Sequence, residues 1–420
     1  MDDNSLQNNH TRVPPVFHLD WSRYAVPING FLMPLIAIVT LVNNSFVVTI
    51  LLSREMRCPT NALLAALAVS DTLTSVCPLP CFVYFYTVGQ RYLDWVPYPW
   101  CSVYFILTDY LPTVFHTASI WLTVSLAAQR YVYVCCPVES TGRRRLCSMR
   151  GSVCIVVAVY LAAVVSQLCR FGELTFSPVQ MQSLVNSTDP DEEDNVTAVV
   201  EVTACQYELA PFVARHETLY FNIYYWSRVL LIHVIPCSAL VFLNSTLVRT
   251  MRTAHQRRCQ MTSRPVSTLA RRRLTDTTTE VPASEYMMQT LRSPSSVQLP
   301  PRQHGGLFAG GGDSPTRATV MLVIVVGVFL LVEVPLSILL LLVIIENTLH
   351  VDVFSYTTRH NAALFVNCCI AITYPLNLFV YCTMSERFRR MFCHIFTRTA
   401  NFDDAQPPLA RASTRRTVRI

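Results

Sequence analysis

Seven long blocks of apolar residues dominate this chain of 420 amino acids. A helix needs about 20 mostly apolar residues to cross a membrane, because each residue advances about 1.5 Å through a hydrocarbon layer about 30 Å thick. Charged residues make up only 14% of the chain, against roughly 25% in soluble domains. The composition excludes an ordinary soluble enzyme and predicts an all-α membrane protein, a seven-transmembrane helix bundle. The predicted spans are approximately 31–52, 61–84, 103–133, 153–168, 220–248, 319–345 and 362–382.

The orientation of the bundle follows from its basic residues, all 33 of which are arginine. If the N-terminus is outside, 26 arginines lie on the inner side and six on the outer side, as the positive-inside rule requires. We therefore predict a multi-pass protein of the plasma membrane. Its parts would be an extracellular N-terminus at 1–28, a seven-helix domain at 29–396 and a cytoplasmic tail at 397–420. Residues 1–28 contain no apolar run, so we expect no cleaved signal peptide.

Two of the 16 cysteines are clear candidates for a disulfide on the outer, oxidising side. Cys101 lies at the mouth of the third span and Cys205 lies in the second outer loop. A bridge between them would tie that loop over the helices. Cys169, at the end of the fourth span, is the alternative partner, although a buried thiol is the simpler interpretation. The predicted outer segments also contain glycosylation sequons at Asn9, Asn186 and Asn195.

The inner side has a long loop and an amphipathic segment. Residues 249–318 lack apolar periodicity and are rich in Ser, Thr, Pro, Gly and Arg, which predicts a disordered third inner loop. After the seventh span, Phe388, Met391 and Phe392 recur at helical spacing among arginines, which predicts a short amphipathic helix on the inner leaflet. Cys393 on this helix is a candidate for palmitoylation.

The predicted spans contain ionisable side chains at Asp71, Asp109, Arg228, His233 and Glu333. A charged group in hydrocarbon costs several kcal/mol unless it is paired, so each of these residues is a candidate for a functional role. Prolines also interrupt the spans, where they free backbone carbonyls and bend helices. Buried charges within bent helices suit either a transporter or a signalling switch.

Short motifs in six of the spans occur in a characteristic order. They are Asn44, Leu67-Ala68-Val69-Ser70-Asp71, Gln129-Arg130-Tyr131, Pro236, Pro335 and Asn377-Leu378-Phe379-Val380-Tyr381. In this order the motifs resemble those of the rhodopsin-like G-protein-coupled receptors. More narrowly, the stretches 115–123, 129–135, 374–377 and 381–385 resemble the invertebrate sex peptide and myoinhibitory peptide receptors. The resemblance covers about residues 28–396 and implies a receptor rather than an enzyme.

Helix three departs from the wider receptor pattern. Gln129 replaces the usual acidic neighbour of Arg130, and Pro315 falls about where helix six would supply a second acid. We therefore expect Arg130 to be held loosely and basal signalling to be measurable. The separation of Cys101 from Arg130 is four residues longer than usual, about one turn, which leaves the register of Asp109 open.

Helix six carries an unusual carboxylate. Glu333 stands where the family has a tryptophan, two residues before Pro335, and it faces the position of His116. Because a lone buried carboxylate is costly, we predict that Glu333 pairs with His116 or Arg228. Ligand binding would rearrange this pair and hinge helix six at Pro335. The alternative is that Glu333 is a protonated, hydrogen-bonded core residue.

The resemblance also implies roles for groups of residues. One group matches the family's buried polar cluster, which can hold a sodium ion at Asp71; its members are Asn44, Asp71, Ser119 and Asn377. A second group matches the positions that serve activation and G-protein coupling, namely Arg130, Tyr131, Pro335 and Tyr381.

The ligand pocket is expected between the outer halves of helices three, five, six and seven. Its candidate contacts are the aromatic and charged residues available there, Tyr104, Phe105, Asp109, Tyr110, His116, Tyr225, Arg228 and Glu333. The resemblance implies a short peptide ligand with a C-terminal amidated tryptophan, whose indole would stack on tyrosines. It also implies an inhibitory heterotrimeric G protein, arrestin and receptor kinases as partners, with membrane lipid around the bundle.

Three other functions compete with this interpretation. A secondary transporter would use buried acids to carry protons, but the chain shows no inverted repeat. An opsin would bind retinal through a lysine, and the chain has none. A receptor of the same fold for an RFamide peptide or an amine stays open, although Asp109 lies nearer the outer end of helix three than an amine receptor needs. We expect no cofactor, and no catalytic or nucleic-acid motif is present.

Overall fold

The computed structural model describes residues 23–88, 95–135, 145–187, 196–262, 315–349, 351 and 355–403. Seven helices in these ranges are long and apolar enough to cross a membrane, as predicted. We number them α1 to α7: Ala25–Leu51, Pro59–Thr87, Tyr98–Cys135, Met149–Phe171, 217–262, Pro315–Leu349 and 356–384. Helix α8, Glu386–Asp403, follows α7, and strands β1, Leu174–Ser187, and β2, Val196–Leu209, lie between α4 and α5.

Two helices extend into the interval that was predicted to be a disordered loop. Helix α5 continues to Thr262 and helix α6 begins at Pro315, so residues 249–262 and 315–318 are helical. Hydropathy marks only the part of a helix that crosses the membrane, and polar residues can continue the helix into water because its backbone bonds are internal. The rest of this interval, residues 263–314, lies outside the described residues.

The seven helices expose apolar side chains to the surrounding membrane and bury polar ones between them. On α6, Leu331 is 75% exposed whereas Glu333 is 1% exposed. The inner half of the bundle is held by an apolar cluster that includes Leu63, Leu122 and Leu240. Helix α8 joins this cluster through Phe388, which lies 5.8 Å from the ring of Tyr381.

Several helices contain turns that depart from regular α-helix. Wider π-helical turns occupy Ile106–Tyr110 in α3 and Val229–Val234 in α5. Each such turn inserts an extra residue and is frequent at functional sites. The turn in α3 takes up part of the extra length between Cys101 and Arg130 and sets the direction of Asp109. Helix α7 breaks at residues 374–375, because proline cannot donate a backbone hydrogen bond.

The second outer loop is a long antiparallel hairpin, in which Leu174 pairs with Leu209 and Ser187 with Val196. This hairpin was not predicted, although the run of β-branched residues in β2 is a strand signal. The predicted disulfide between Cys101 and Cys205 is confirmed, and the backbone N–H of Cys205 donates to the carbonyl of Val96 at 2.9 Å. The hairpin is thereby fixed to the outer end of α3. Cys169, the alternative partner, is an exposed free thiol.

Candidate functional site

A pocket of about 230 Å³ lies among the outer halves of α1, α2, α3, α5, α6 and α7. Three of the predicted ligand contacts line it, namely Asp109, His116 and Arg228. The rest of its wall is mostly apolar in area but includes further polar side chains, among them Asn29, Thr113, Asn367 and Tyr374. A mostly apolar concavity with a few convergent polar groups is typical of a site for a small or partly inserted ligand.

One arginine organises the charges beside this pocket. Arg170, at the end of α4, donates from Nη2 to Asp109 Oδ2 at 2.6 Å, and its Nε lies 3.0 Å from Glu173 Oε1. Its Nη1 donates to the hydroxyl of Tyr224 at 3.1 Å, and its guanidinium lies 5.4 Å from the ring centre of Tyr110. The Glu173 contact lacks the alignment of a hydrogen bond and acts as an ion pair. Asp109 is therefore neutralised within the protein.

Glu173 lies just outside the membrane-spanning part of α4 and is only 4% exposed. Burial raises the pKa of Glu173 above its ordinary value, because the charged carboxylate loses hydration. Arg170 and the hydroxyl of Tyr220, which donates to Glu173 at 3.2 Å, oppose this effect. Burial has the larger effect, so the protonated form of Glu173 is favoured by folding.

The predicted aromatic contacts build the walls of the outer half and do not line the pocket. Tyr104 packs on Phe85 with ring centres 5.6 Å apart, behind the disulfide. Phe105 lies 5.3 Å from Phe176 on β1 and so supports the hairpin. Tyr110 packs on Phe171 of α4, and Tyr225 stacks on Phe221 of its own helix.

Glu333 lies between two histidines deeper in the bundle. Its Oε2 is 3.0 Å from Nδ1 of His233 on α5, and its Oε1 is 3.1 Å from Nε2 of His116 on α3. The first contact is a hydrogen bond, whereas the second lacks hydrogen-bond alignment and is an electrostatic contact. The predicted pairing with His116 is present. The alternative partner, Arg228, donates instead to the hydroxyl of Tyr224 at 3.2 Å, and His233 takes its place.

His116 and Tyr374 separate the outer pocket from a deeper cavity. Nδ1 of His116 lies 3.1 Å from the hydroxyl of Tyr374, which stands at the break in α7. Both residues line the outer pocket and also a second cavity of about 180 Å³. The deeper cavity is lined by Glu333 at one end and by Asp71 and Asn377 at the other. The two cavities therefore share one hydrogen-bonded wall.

Three members of the predicted polar cluster meet at Asp71. Ser119 donates to Oδ1 at 2.6 Å and Asn377 donates to Oδ2 at 2.9 Å. Asn44 donates instead to Ala68 and Thr72 of α2, and its Oδ1 is buried without a hydrogen-bond donor among the described residues. Asp71, Ser119 and Asn377 all line the deeper cavity, whereas Asn44 does not. A carboxylate, a hydroxyl and an amide oxygen are ligands that suit a hard cation such as sodium, so these three residues fit the ion.

The inner end of α3 lacks the ion pair that usually restrains it. Gln129 points away from Arg130 and donates to the carbonyl of Leu146 at 2.8 Å and to Ser152 Oγ at 3.0 Å. No ion pair joins Arg130 to any residue in the described ranges. Arg130 is half-buried and Tyr131 follows it on the same end of the helix. Gln129 thus anchors the second inner loop and α4 rather than Arg130.

Comparison with known proteins agrees with this arrangement. Residues 43–381 match the 7 transmembrane receptor (rhodopsin family). The chain belongs to the rhodopsin family of seven-transmembrane receptors. The receptor is 30% identical to the sex peptide receptor of Drosophila melanogaster over 89% of this chain and 73% of the relative. It is 27% identical to sex peptide receptor-related protein 2 of Caenorhabditis elegans over 88% of this chain and 72% of the relative. A more distant relative is the FMRFamide receptor of Drosophila melanogaster, 24% identical over 87% of this chain and 53% of the relative.

These similarities establish a multi-pass receptor of the plasma membrane, which is not an enzyme. The structure describes only some of the residues that were predicted to be modified. The backbone of Asn186 lies in β1 opposite Thr197, whereas Asn9 and Asn195 lie outside the described residues. Cys393 is exposed on α8.

Two residues of the receptor's charge network were missed by the sequence analysis. Arg170 was counted only as an arginine of the outer side, and His233 only as a buried ionisable group. A signal for Arg170 was present in Glu173, three residues later and one helical turn away. No local signal pairs His233 with Glu333, because the two are 100 residues apart and meet only through the packing of α5 on α6.

Proposed function

We propose that the receptor binds a short extracellular peptide with a C-terminal amide, of the sex peptide or myoinhibitory type, and activates an inhibitory heterotrimeric G protein. The observation that carries the proposal is the charge pattern of the outer pocket. Asp109, the one carboxylate that lines the pocket as described, is already bound by Arg170. This pair already neutralises the negative charge that a ligand amine would need, whereas Arg228 offers a positive group to an oxygen-bearing ligand. The names of the relatives also point to peptide ligands.

In this proposal the N-terminus and the hairpin lie outside the cell. The disulfide needs the oxidising outer side, and Arg54 and Arg57 between α1 and α2 need the inner side. Asn9, Asn186 and Asn195 would carry glycans, and Cys393 on α8 would carry a palmitoyl chain at the inner leaflet. Arrestin and receptor kinases would act on the remainder of the loop between α5 and α6 and on the tail.

Activation in this proposal begins at Glu333. A ligand that reaches His116 from the outer pocket changes the contact of His116 with Glu333, which lies two residues before Pro335 inside α6. Proline removes one backbone hydrogen bond and allows α6 to hinge there. The outward movement of the inner end of α6 makes Arg130, Tyr131 and Tyr381 available to the G protein. Because Arg130 has no ion pair among the described residues, basal signalling is part of the proposal.

A sodium ion in the deeper cavity would oppose activation. Asp71, Ser119 and Asn377 come from α2, α3 and α7, so an ion held by their oxygens would link three helices. When bound, the sodium ion would supply a positive charge that attracts the carboxylate of Asp71. The residues themselves hold the helices in place through the two hydrogen bonds to Asp71.

The test is a signalling assay in transfected cells with a panel of synthetic peptides. The panel contains tryptophan-amide peptides, RFamide peptides and the matching free acids, and the readouts are cyclic AMP and calcium. We expect a fall in cyclic AMP, sensitive to pertussis toxin, with the tryptophan-amide peptides. A response restricted to RFamide peptides would replace the ligand by the class named for the more distant relative. A rise in cyclic AMP would overturn the inhibitory coupling.

A further inference from the structure

The outer pocket contains a positive group whose charge is not balanced within the protein. Arg228 lines the pocket, and no carboxylate in the described ranges lies within ion-pair distance of it. Its Nε is buried and has no hydrogen-bond acceptor among the residues described. By contrast, Arg170 nearby is held by both Asp109 and Glu173. The two arginines therefore differ in what they can offer a ligand.

The hydroxyl of Tyr224 cannot take up the remaining hydrogen-bonding capacity of Arg228. It accepts from Nη1 of Arg170 at 3.1 Å and from Nη1 of Arg228 at 3.2 Å, and it donates to Oε1 of Gln167 at 3.4 Å. A tyrosine hydroxyl has one proton and two acceptor positions, so these three contacts saturate it. Tyr224 fixes the position of Arg228 but leaves the positive charge of its guanidinium for another partner.

Asp109 complements Arg228 across the same pocket. Its Oδ2 accepts from Arg170, whereas its Oδ1 makes no hydrogen bond with any residue that the structure describes. The pocket thus presents one cation without a counterion among the described residues and one unfilled acceptor on an anion. A carboxamide has the matching pair, an acceptor oxygen and an N–H donor, on adjacent atoms. A carboxylate offers oxygens to Arg228 but has no N–H to donate to Oδ1 of Asp109.

We propose that Arg228 and Asp109 are the residues that recognise the C-terminal carboxamide of the ligand. Arg228 donates from its guanidinium to the amide oxygen, and Asp109 accepts from the amide nitrogen through Oδ1. This assignment rests on the proposed peptide ligand and identifies the part of the peptide that enters the pocket. Discrimination against the free acid comes from Asp109, and affinity for the oxygen comes from Arg228.

The experiment compares three small probes of the peptide terminus on purified full-length receptor. They are N-acetyltryptophanamide, N-acetyltryptophan as the free acid, and N-acetyltryptamine, which lacks the terminal group. Binding is read from thermal stabilisation in detergent, and the amidated peptides of the panel are tested in cells on the same variants. Arg228→Ala and Arg228→Gln remove the charge. Arg215→Ala is the matched control, because Arg215 is an exposed arginine between β2 and α5 that does not line the pocket.

We expect the wild type to prefer the amide to the acid and the acid to N-acetyltryptamine. Arg228→Ala should weaken binding of the amide about 10- to 100-fold and leave N-acetyltryptamine unchanged. Asp109→Asn should narrow the preference for the amide over the acid. Equal binding of the amide by Arg228→Ala and the wild type would overturn the assignment, as would binding of no probe or equal binding of all three.

Failure of this assignment and failure of the proposed function give different results. If the receptor binds the amide probe through Arg228 but responds to no peptide, the recognition site is supported and the proposed function is contradicted. If amidated peptides activate the wild type and Arg228→Ala with equal potency, the proposed function is supported and the recognition site is contradicted.

Discussion

Glu333 of α6 and His233 of α5 are both 1% exposed and are joined by a hydrogen bond of 3.0 Å. In our proposal α6 is the helix that hinges, and this bond and the nearby contact with His116 hold it in place before the ligand binds. The pairing connects α3, α5 and α6 at one carboxylate. The negative charge of Glu333 is therefore the first feature to test.

Replacement of Glu333 by Gln should raise basal signalling. Glutamine keeps the shape of the side chain but loses the negative charge that attracts His116 and His233. A loss of about 1 to 2 kcal/mol from the inactive state would raise the ratio of active to inactive receptor about 5- to 30-fold. The measurement is ligand-independent cyclic AMP at matched surface expression. Glu346→Gln, on the same helix but paired with Arg359 near its outer end, is the control. Unchanged basal and peptide-evoked signalling would indicate that Glu333 is a protonated core residue.

Replacement of Asp71 by Asn should remove the response of the receptor to sodium. In the wild type, agonist affinity should fall about fivefold or more in sodium chloride compared with choline chloride at equal ionic strength. The variant loses the charge that attracts the ion and at least one acceptor for Ser119 or Asn377. Ser119→Ala should reduce the response without abolishing it. Equal affinity of the wild type in the two salts would contradict the sodium proposal.

Loss of the disulfide should detach the hairpin from α3. Cys101→Ser, Cys205→Ser and the double variant each remove the same bond, so we expect them to lose about the same stability, roughly 2 to 5 kcal/mol. The contact of Phe105 with Phe176 is too small to replace it. Thermal unfolding and peptide potency measure the effect, and Cys169→Ser, at an exposed free thiol, is the control. An additive loss in the double variant would show that the two thiols act separately.

The stability of the outer charge network should depend on pH through Glu173. Its pKa is higher in the folded state than the ordinary value of 4.5, so folding favours the protonated form. The stability that Glu173 contributes is therefore present below pH 4.5 and is lost as the pH rises through its folded-state pKa. Glu173→Gln does not titrate.

The measurement is thermal unfolding of the wild type and of Glu173→Gln, from below pH 4.5 to above the folded-state pKa of Glu173. The stability of the wild type relative to the variant should decline as the pH rises. A relative stability that increases with pH would show that Arg170 has a larger effect on Glu173 than burial does.

The parts of the fold that follow from local sequence were predictable. Six of the seven predicted spans lie within the observed helices, and the first, 31–52, ends one residue beyond α1. The disulfide followed from the side of the membrane on which each cysteine lies. The hydrogen bonds of Asp71 with Ser119 and Asn377 agree with a cluster inferred by resemblance.

The contacts that depend on how helices face one another were not predictable. The π-helical turns Ile106–Tyr110 and Val229–Val234 rotate the outer halves of α3 and α5, and hydropathy does not detect such turns. Asp109 and His233 lie within these turns, and they meet Arg170 and Glu333 respectively. Predicting these pairs requires the relative rotation of two helices, which no single segment specifies.

The wall formed by His116 and Tyr374 has a thermodynamic consequence. Because the same two side chains bound the outer pocket and the deeper cavity, an occupant on either side changes the free energy of occupying the other. Coupling of this kind is reciprocal, so a cation that weakens peptide binding by some factor is itself expelled by the peptide with the same factor. In the sodium proposal, the sensitivity of the receptor to its ionic surroundings therefore depends on the wall that contains the hydrogen bond of 3.1 Å between His116 and Tyr374.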